Sequence, residues 1–199
     1  RKLLLDTAMA LMQAGRVPSV TDVAEAAQVS RATAYRYFPT QAALVQAAVD
    51  EALGPILRWR SDSADAEARV EELLAFAYPR IDEYEATLRA ALLQAMEQWS
   101  RRRAGTLGDE APIFRGNRRE LLGSALAPVR GEMPPADFDR LRQALSLIFG
   151  TEAFVVLKDI WGLDGEHARG VALWAAHALV RAALAEAVTR RREAGGREN

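Results

Sequence analysis

A chain of 199 residues can bury a substantial core in one or two domains. Half of its residues are hydrophobic and 27% are charged, with a formal net charge of −1, so the overall balance marks neither a basic nucleic-acid coat nor an acidic tail. The absence of cysteine excludes disulfides, thiolate catalysis and Cys-type zinc sites together. No apolar run approaches the ~20 residues of a membrane span and no signal-peptide pattern opens the chain, so a soluble cytoplasmic protein without a membrane partner is expected.

Residues 1–14 predict a first helix with Leu4, Leu5, Ala8, Leu11 and Met12 on one stripe, stopped by Gly15. Ser19 then caps a short helix, with Asp22 three residues on completing a capping-box pair, and Val20, Val23, Ala24 and Ala27 give it one apolar face. Gln28-Val29 makes a tight turn and Ser30 caps a further helix. That helix holds Arg31, Thr33, Tyr35 and Arg36 and almost nothing apolar before Phe38. Helix, tight turn and polar second helix form a helix-turn-helix, whose second helix suits a DNA major groove. There Arg and Thr reach base edges, while Tyr hydroxyls and Arg hold phosphates. The local charge agrees, since residues 1–39 carry five Lys/Arg against three Asp/Glu.

Pro39 breaks the chain and Thr40 caps a fourth helix with Leu44, Val45, Ala48, Val49 and Ala52 on one face. Gly54-Pro55 interrupts or kinks it, which places a domain boundary between residues 53 and 54. The rest also reads as helical. Residues 64–103 predict two helices with a kink or break at Pro79, and residues 105–116 predict a loop. A short helix over 117–129 is followed by a turn, with Pro135 starting the next helix. Two long helices, 137–161 and 166–192, close the chain, with Asp164 as a cap between them. No strand-like alternation, hairpin signal or internal repeat occurs, so the fold class is all-α.

Residues 1–53 resemble the DNA-binding domain of the tetracycline-repressor-like (TetR) family of bacterial transcription regulators. The resemblance rests on Val23-Ala24, Ala27, Val29-Ser30-Arg31, Thr33, Tyr35, Phe38-Pro39 and Ala43-Leu44, in that order. It implies a three-helix DNA-reading domain over 1–53 and a helical ligand-binding and dimerising domain over 54–199. By position, it implies base contacts from Arg31, Ala32 and Thr33 and phosphate contacts from Ser19, Thr21, Ser30, Tyr35 and Tyr37, beside Arg36. The sequence departs from the family pattern at three places. Gln28 stands where Gly is common, calling for a tighter turn or a strained backbone. Ala34 stands where Leu is usual and thins the small core. Gln41, at the start of the fourth helix, replaces a frequent Lys at a phosphate-contacting position.

In the second domain, aromatic residues taken singly read as core. Taken together, Trp59, Tyr78, Met96, Trp99, Phe114, Phe149, Trp174 and His177 point to a cavity for an unidentified small, largely apolar ligand. The last helix is rich in alanine, which permits close helix approach, and Ile148, Val156, Ala175, Ala178, Leu179 and Ala182 are the expected two-fold contact. No GxGxxG, P-loop, GxSxG or HExxH motif occurs, and two histidines ten residues apart on one helix make no metal site. The expectation is a non-enzyme without catalytic residues, metal or cofactor. It would be a homodimeric, ligand-released repressor on palindromic DNA. The alternative is a helical small-molecule-binding or enzymatic bundle with a vestigial DNA-binding domain.

Overall fold

The computed structural model describes residues 1–110, 113 and 116–195, and every regular element among them is helical. These helices are α1 (Lys2–Gln13), α2 (Val20–Ala26), α3 (Arg31–Tyr37), α4 (Gln41–Leu57), α5 (Ala66–Glu83), α6 (Glu85–Arg103), α7 (Asn117–Ala125), α8 (Pro135–Ile148), α9 (Thr151–Phe154) and α10 (Gly165–Gly195). A 3₁₀ turn, Ala127–Val129, follows α7, and a π-helical stretch, Val155–Ile160, continues α9. The chain forms two compact units, Arg1–Pro55 with Arg80–Arg115 and Ile56–Pro79 with Gly116–Asn199. Residues 80–115, read from sequence as part of the second domain, pack with the first unit.

In the first unit, α1 supplies Leu4, Leu5, Ala8 and Met12 to the core, and α4 supplies Leu44, Val45, Ala48 and Ala52. Four residues per face at helical spacing bury enough apolar area to carry two short helices that could not persist alone. Thr40 caps α4 through a bond from the Ala43 N–H at 3.0 Å. The helix then runs through Gly54 and Pro55 to Leu57. Likewise α5 continues through Pro79 to Glu83, and the change of direction falls at Tyr84. Proline is tolerated in both because the neighbouring structure holds the helix.

The second unit departs more clearly from the sequence reading. The long helix expected over 137–161 is broken. Its first part ends at Ile148, Phe149 is extended, and Gly150 takes φ +123°, ψ −171° before α9 begins. Periodicity continues across the break, because Leu141, Leu145, Phe149 and Phe154 all face the core, so the apolar pattern concealed it. Carbonyls freed at the end of α8 are met by side chains. Tyr78 Oη donates to the Ile148 carbonyl, and Arg118 Nη1 donates to the Ser146 carbonyl at 3.1 Å. Arg118 also pairs with Glu152 at 2.5 Å, and Tyr78 lies edge-on to Phe154 with ring centroids 5.2 Å apart. Burial pushes the Tyr78 phenol well above its ordinary value, so the group stays a hydrogen-bond donor.

Helix α10 starts under an Asp164 cap, which accepts the His167 N–H at 2.9 Å. Its buried stripe is Ala168, Ala172, Ala176, Val180 and Ala187. By length and mean hydropathy α10 is long and apolar enough to cross a membrane, though the alanines raise its average without making a continuous apolar run. Arg169, Arg181 and Glu186 interrupt it.

Replacing Gly150 with Ala should cost about 1–3 kcal/mol, because φ +123° is foreign to a side chain. The added methyl would also meet Arg118 Nη2 at 3.0 Å and push it from its partners. Urea unfolding of the variant against wild type measures the loss, and an unchanged midpoint would refute this account of the break.

Candidate nucleic-acid interface

The site is built on α2 and α3. Ser19 closes the capping box: the Asp22 N–H donates to Ser19 Oγ at 3.1 Å, and the Ser19 N–H donates to Asp22 Oδ2 at 2.8 Å. The backbone bond from Ser19, and then its hydroxyl, hold the Asp22 carboxyl below its ordinary value. The cap's contribution is therefore present above the usual carboxylate range and is lost as pH falls through the lowered value. Between the helices Gln28 adopts φ 54°, the left-handed conformation that glycine would take without strain. The turn closes through the Val29 N–H to the Ala24 carbonyl at 2.9 Å.

Ser30 caps α3 by accepting the Thr33 N–H at 3.2 Å, and donates its hydroxyl proton to Thr33 Oγ1 at 2.9 Å. Only Ala34 of α3 is fully buried. Arg31, Ala32, Tyr35, Arg36 and Tyr37 are all exposed, and Thr33 is half-buried. The Arg36 guanidinium lies over the Tyr37 ring at 5.3 Å. Tyr35 Oη is 3.3 Å from Thr21 Oγ1, which ties the exposed phenol to α2 and fixes where it points. One rigid surface thus gathers two guanidinium groups, two phenols and the hydroxyls of Thr21, Ser30 and Thr33. These are the donor types that grip phosphates and read base edges.

Two expected contacts sit differently. The Gln41 amide donates to the Pro18 carbonyl at 3.1 Å and the Val17 carbonyl at 3.4 Å, so it holds the loop before α2. Ser19 is half-buried with its hydroxyl committed to Asp22. Sequence position alone could not separate these inward roles from outward ones, because both residues carry groups that also bind phosphate.

The residues expected around a ligand are dispersed. Trp59, Tyr78 and Phe149 are buried and belong to the second unit. Met96 and Trp99 are 60% and 66% exposed on α6, and Trp174 is 74% exposed on α10, so none of them encloses an interior molecule within one chain. His177 faces carboxylates instead of an apolar space: Nδ1 is 3.7 Å from Glu67 and Nε2 is 3.4 Å from Glu71, while Arg181 pairs with Glu67 at 2.6 Å. Phe114 lies outside the described residues. Sequence reasoning missed Thr87 and Gln94, which are 0% and 7% exposed on α6 and whose side-chain oxygens have no hydrogen-bond partner. Seven residues apart, they share a helix face with Gln98, whose Oε1 accepts the Ile113 N–H at 3.0 Å. Their signal was a polar repeat at 87, 94 and 98, which reads as solvated surface until burial is known. Of the expected two-fold contacts, Val156, Ala178 and Ala182 are exposed, while Ile148, Ala175 and Leu179 are half-buried.

Comparison with known proteins bears on this geometry directly. Residues 4–48 match the family model described as bacterial regulatory proteins, tetR family. Among curated proteins there is no significant match. Among solved structures, the chain is similar to a TetR transcriptional regulator from Rhodococcus sp. RHA1, with a TM-score of 0.57 at 19% identity over 89% of this chain and 93% of that one. Residues 4–48, with the helix-turn-helix just described, are thus a domain of the tetR family of bacterial regulatory proteins, and the helical fold of the chain is of the TetR kind.

Proposed function

We propose that this protein is a homodimeric, ligand-responsive transcriptional repressor that reads a palindromic operator. The observation that carries the reading is the bare face of α3. Arg31, Tyr35, Arg36 and Tyr37 are held rigidly and offered to solvent by a helix that could not stand alone. Arg31, Ala32 and Thr33 face base edges, and Thr21, Ser30, Tyr35, Arg36 and Tyr37 bind the backbone. Ser19 and Gln41 act indirectly, by fixing α2 and the loop before it.

Two such helices must be presented together, about 34–36 Å or a multiple apart. The apolar surface of α10 supports a second copy as partner. Val171, Trp174, Ala178, Ala182 and Ala185 recur at three- and four-residue spacing on its exposed side. Ile148, Val156, Ala175 and Leu179 extend that contact. Trp174 thereby passes from the ligand list to the interface. Small side chains let the helices approach closely while the indole supplies area.

For the ligand, Trp59, Tyr78 and Phe149 of the second unit offer a small, largely apolar molecule its contacts. Release of DNA follows only if that molecule binds the DNA-incompetent arrangement better than the competent one.

Three measurements test the reading. Tyr35→Phe should weaken binding alike on all operator variants, whereas Arg31→Ala should relax base preference at one position by about 1–3 kcal/mol; quantitative gel shifts on a variant panel separate the two. Log affinity should fall linearly with log salt, and a salt-insensitive or absent complex would favour a vestigial domain. Trp174→Glu should give monomers by light scattering and lose the two-half-site complex, because a carboxylate on each side of the axis cannot be buried.

A further inference from the structure

Helix α4 carries a defect, and the chain has a side chain placed to meet it. Pro55 has no N–H to give the carbonyl four residues earlier, which is that of Glu51. From the end of α5, Arg80 Nη2 donates to that carbonyl at 3.1 Å, and its Nε donates to the neighbouring Ala52 carbonyl. The guanidinium is held in place by the Tyr84 ring, 4.7 Å away. Three residues on, the Glu83 carbonyl accepts from Gln13 Nε2 at 2.8 Å, at the end of α1. The last turn of α5 therefore grips both outer helices of the reading head, α1 through Gln13 and α4 through Arg80, all within one compact unit.

We infer that Arg80 is a positioning residue for DNA recognition. It replaces the hydrogen bond removed by Pro55 and so fixes α4, and the head with it, against the last turn of α5. The inference rests on the proposed dimeric DNA reading. The partners of Arg80 are Glu51, Ala52 and Tyr84, none of them on α2 or α3, so it acts on how the head is held and not on what the head contacts. A two-headed protein gains its affinity for a full operator from holding the second head near the second half-site, and a loosely attached head forfeits that gain. Lysine cannot substitute, since one ammonium lacks the planar fork that spans two adjacent carbonyls.

The test uses the full chain, a duplex selected by the wild-type protein from a random pool, and the same duplex with one half scrambled. Arg80→Ala should bind the full duplex about tenfold more weakly. It should bind the half-scrambled duplex as wild type does. Pro55→Ala returns an N–H to Glu51, so Arg80→Ala made in that background should regain most of the lost affinity. Equal weakening on both duplexes would mean that Arg80 contacts DNA or holds the head together, and would overturn the inference. So would no weakening on either duplex, or a double variant as weak as Arg80→Ala alone. Wild-type protein that selects no duplex would remove the DNA reading itself and this inference with it.

Discussion

A helix of seven residues with one fully buried side chain has to be held in place by its surroundings. That condition governs the first unit. Alone, α3 falls well below the ~12–15 residues at which helices become marginal in water, and Ala34 contributes only a methyl group to the core. Its stability is supplied at its edges. Ser30 caps its start, Phe38 is buried just past its end, and α2 packs on its inner side with a capping box of its own. The arrangement leaves every long polar side chain on α3 free of structural duty except Tyr35, and the Thr21 bond to Tyr35 orients its hydroxyl without covering it. A bare polar face and a fixed position are both needed for reading a duplex, and here they come from different residues.

The same accounting of backbone groups applies to the proline inside α4 and to the break after α8. Pro55 deprives Glu51 of a donor, and the end of α8 leaves the Ser146 and Ile148 carbonyls without intrahelical partners. In each case a long side chain from another helix makes the bond: Arg80 in the first unit, Arg118 and Tyr78 in the second. Carbonyls away from water are rarely left unpaired, so the part-buried break after α8 calls for donors of suitable reach. Arginine and tyrosine are suited because each donates at the end of a stem that packs against apolar neighbours. Once made, these bonds turn a point of weakness into a fixed angle, since the donor meets the carbonyls in one geometry only.

The sequence made the reading head legible because its signals are local. Caps, turn and apolar spacing all lie within the twenty residues from Ser19 to Phe38, and each follows from chain geometry over a turn or two. The break at Gly150 was not legible, because apolar spacing continues through it and the φ that demands glycine is known only from coordinates. The prolines left two readings open. Gly54-Pro55 reads as an interruption or a kink and Pro79 as a kink or a break, and α4 and α5 pass through both, in α4 with Arg80 donating to the carbonyl that Pro55 leaves without its N–H. Side-chain direction was least accessible. Trp59, just past the end of α4, and Trp174, on α10, are the same residue type, yet one is 7% and the other 74% exposed. Gln41 and Tyr35 both suit phosphate by chemistry, but one amide turns inward to two loop carbonyls.

The exposed large apolar residues of the second unit bear on assembly. Trp161 and Trp174 are each more than two-thirds exposed, as are Leu147 and Ile160, and all four lie on α8, the π-helical stretch or α10, or at their junction. Single exposed apolar residues are ordinary, but several large ones on consecutive elements are costly to leave in water. A bilayer would cover them but would also meet Arg169, Arg181 and Glu186 on the same helix, with Arg181 already paired to Glu67. A second copy of the chain, as proposed, would cover the apolar side and leave the charges at the rim, which is where interface charges are tolerated. That geometry makes the proposed dimer and the DNA reading depend on each other: two heads are useful only if the apolar helices bring them to one spacing.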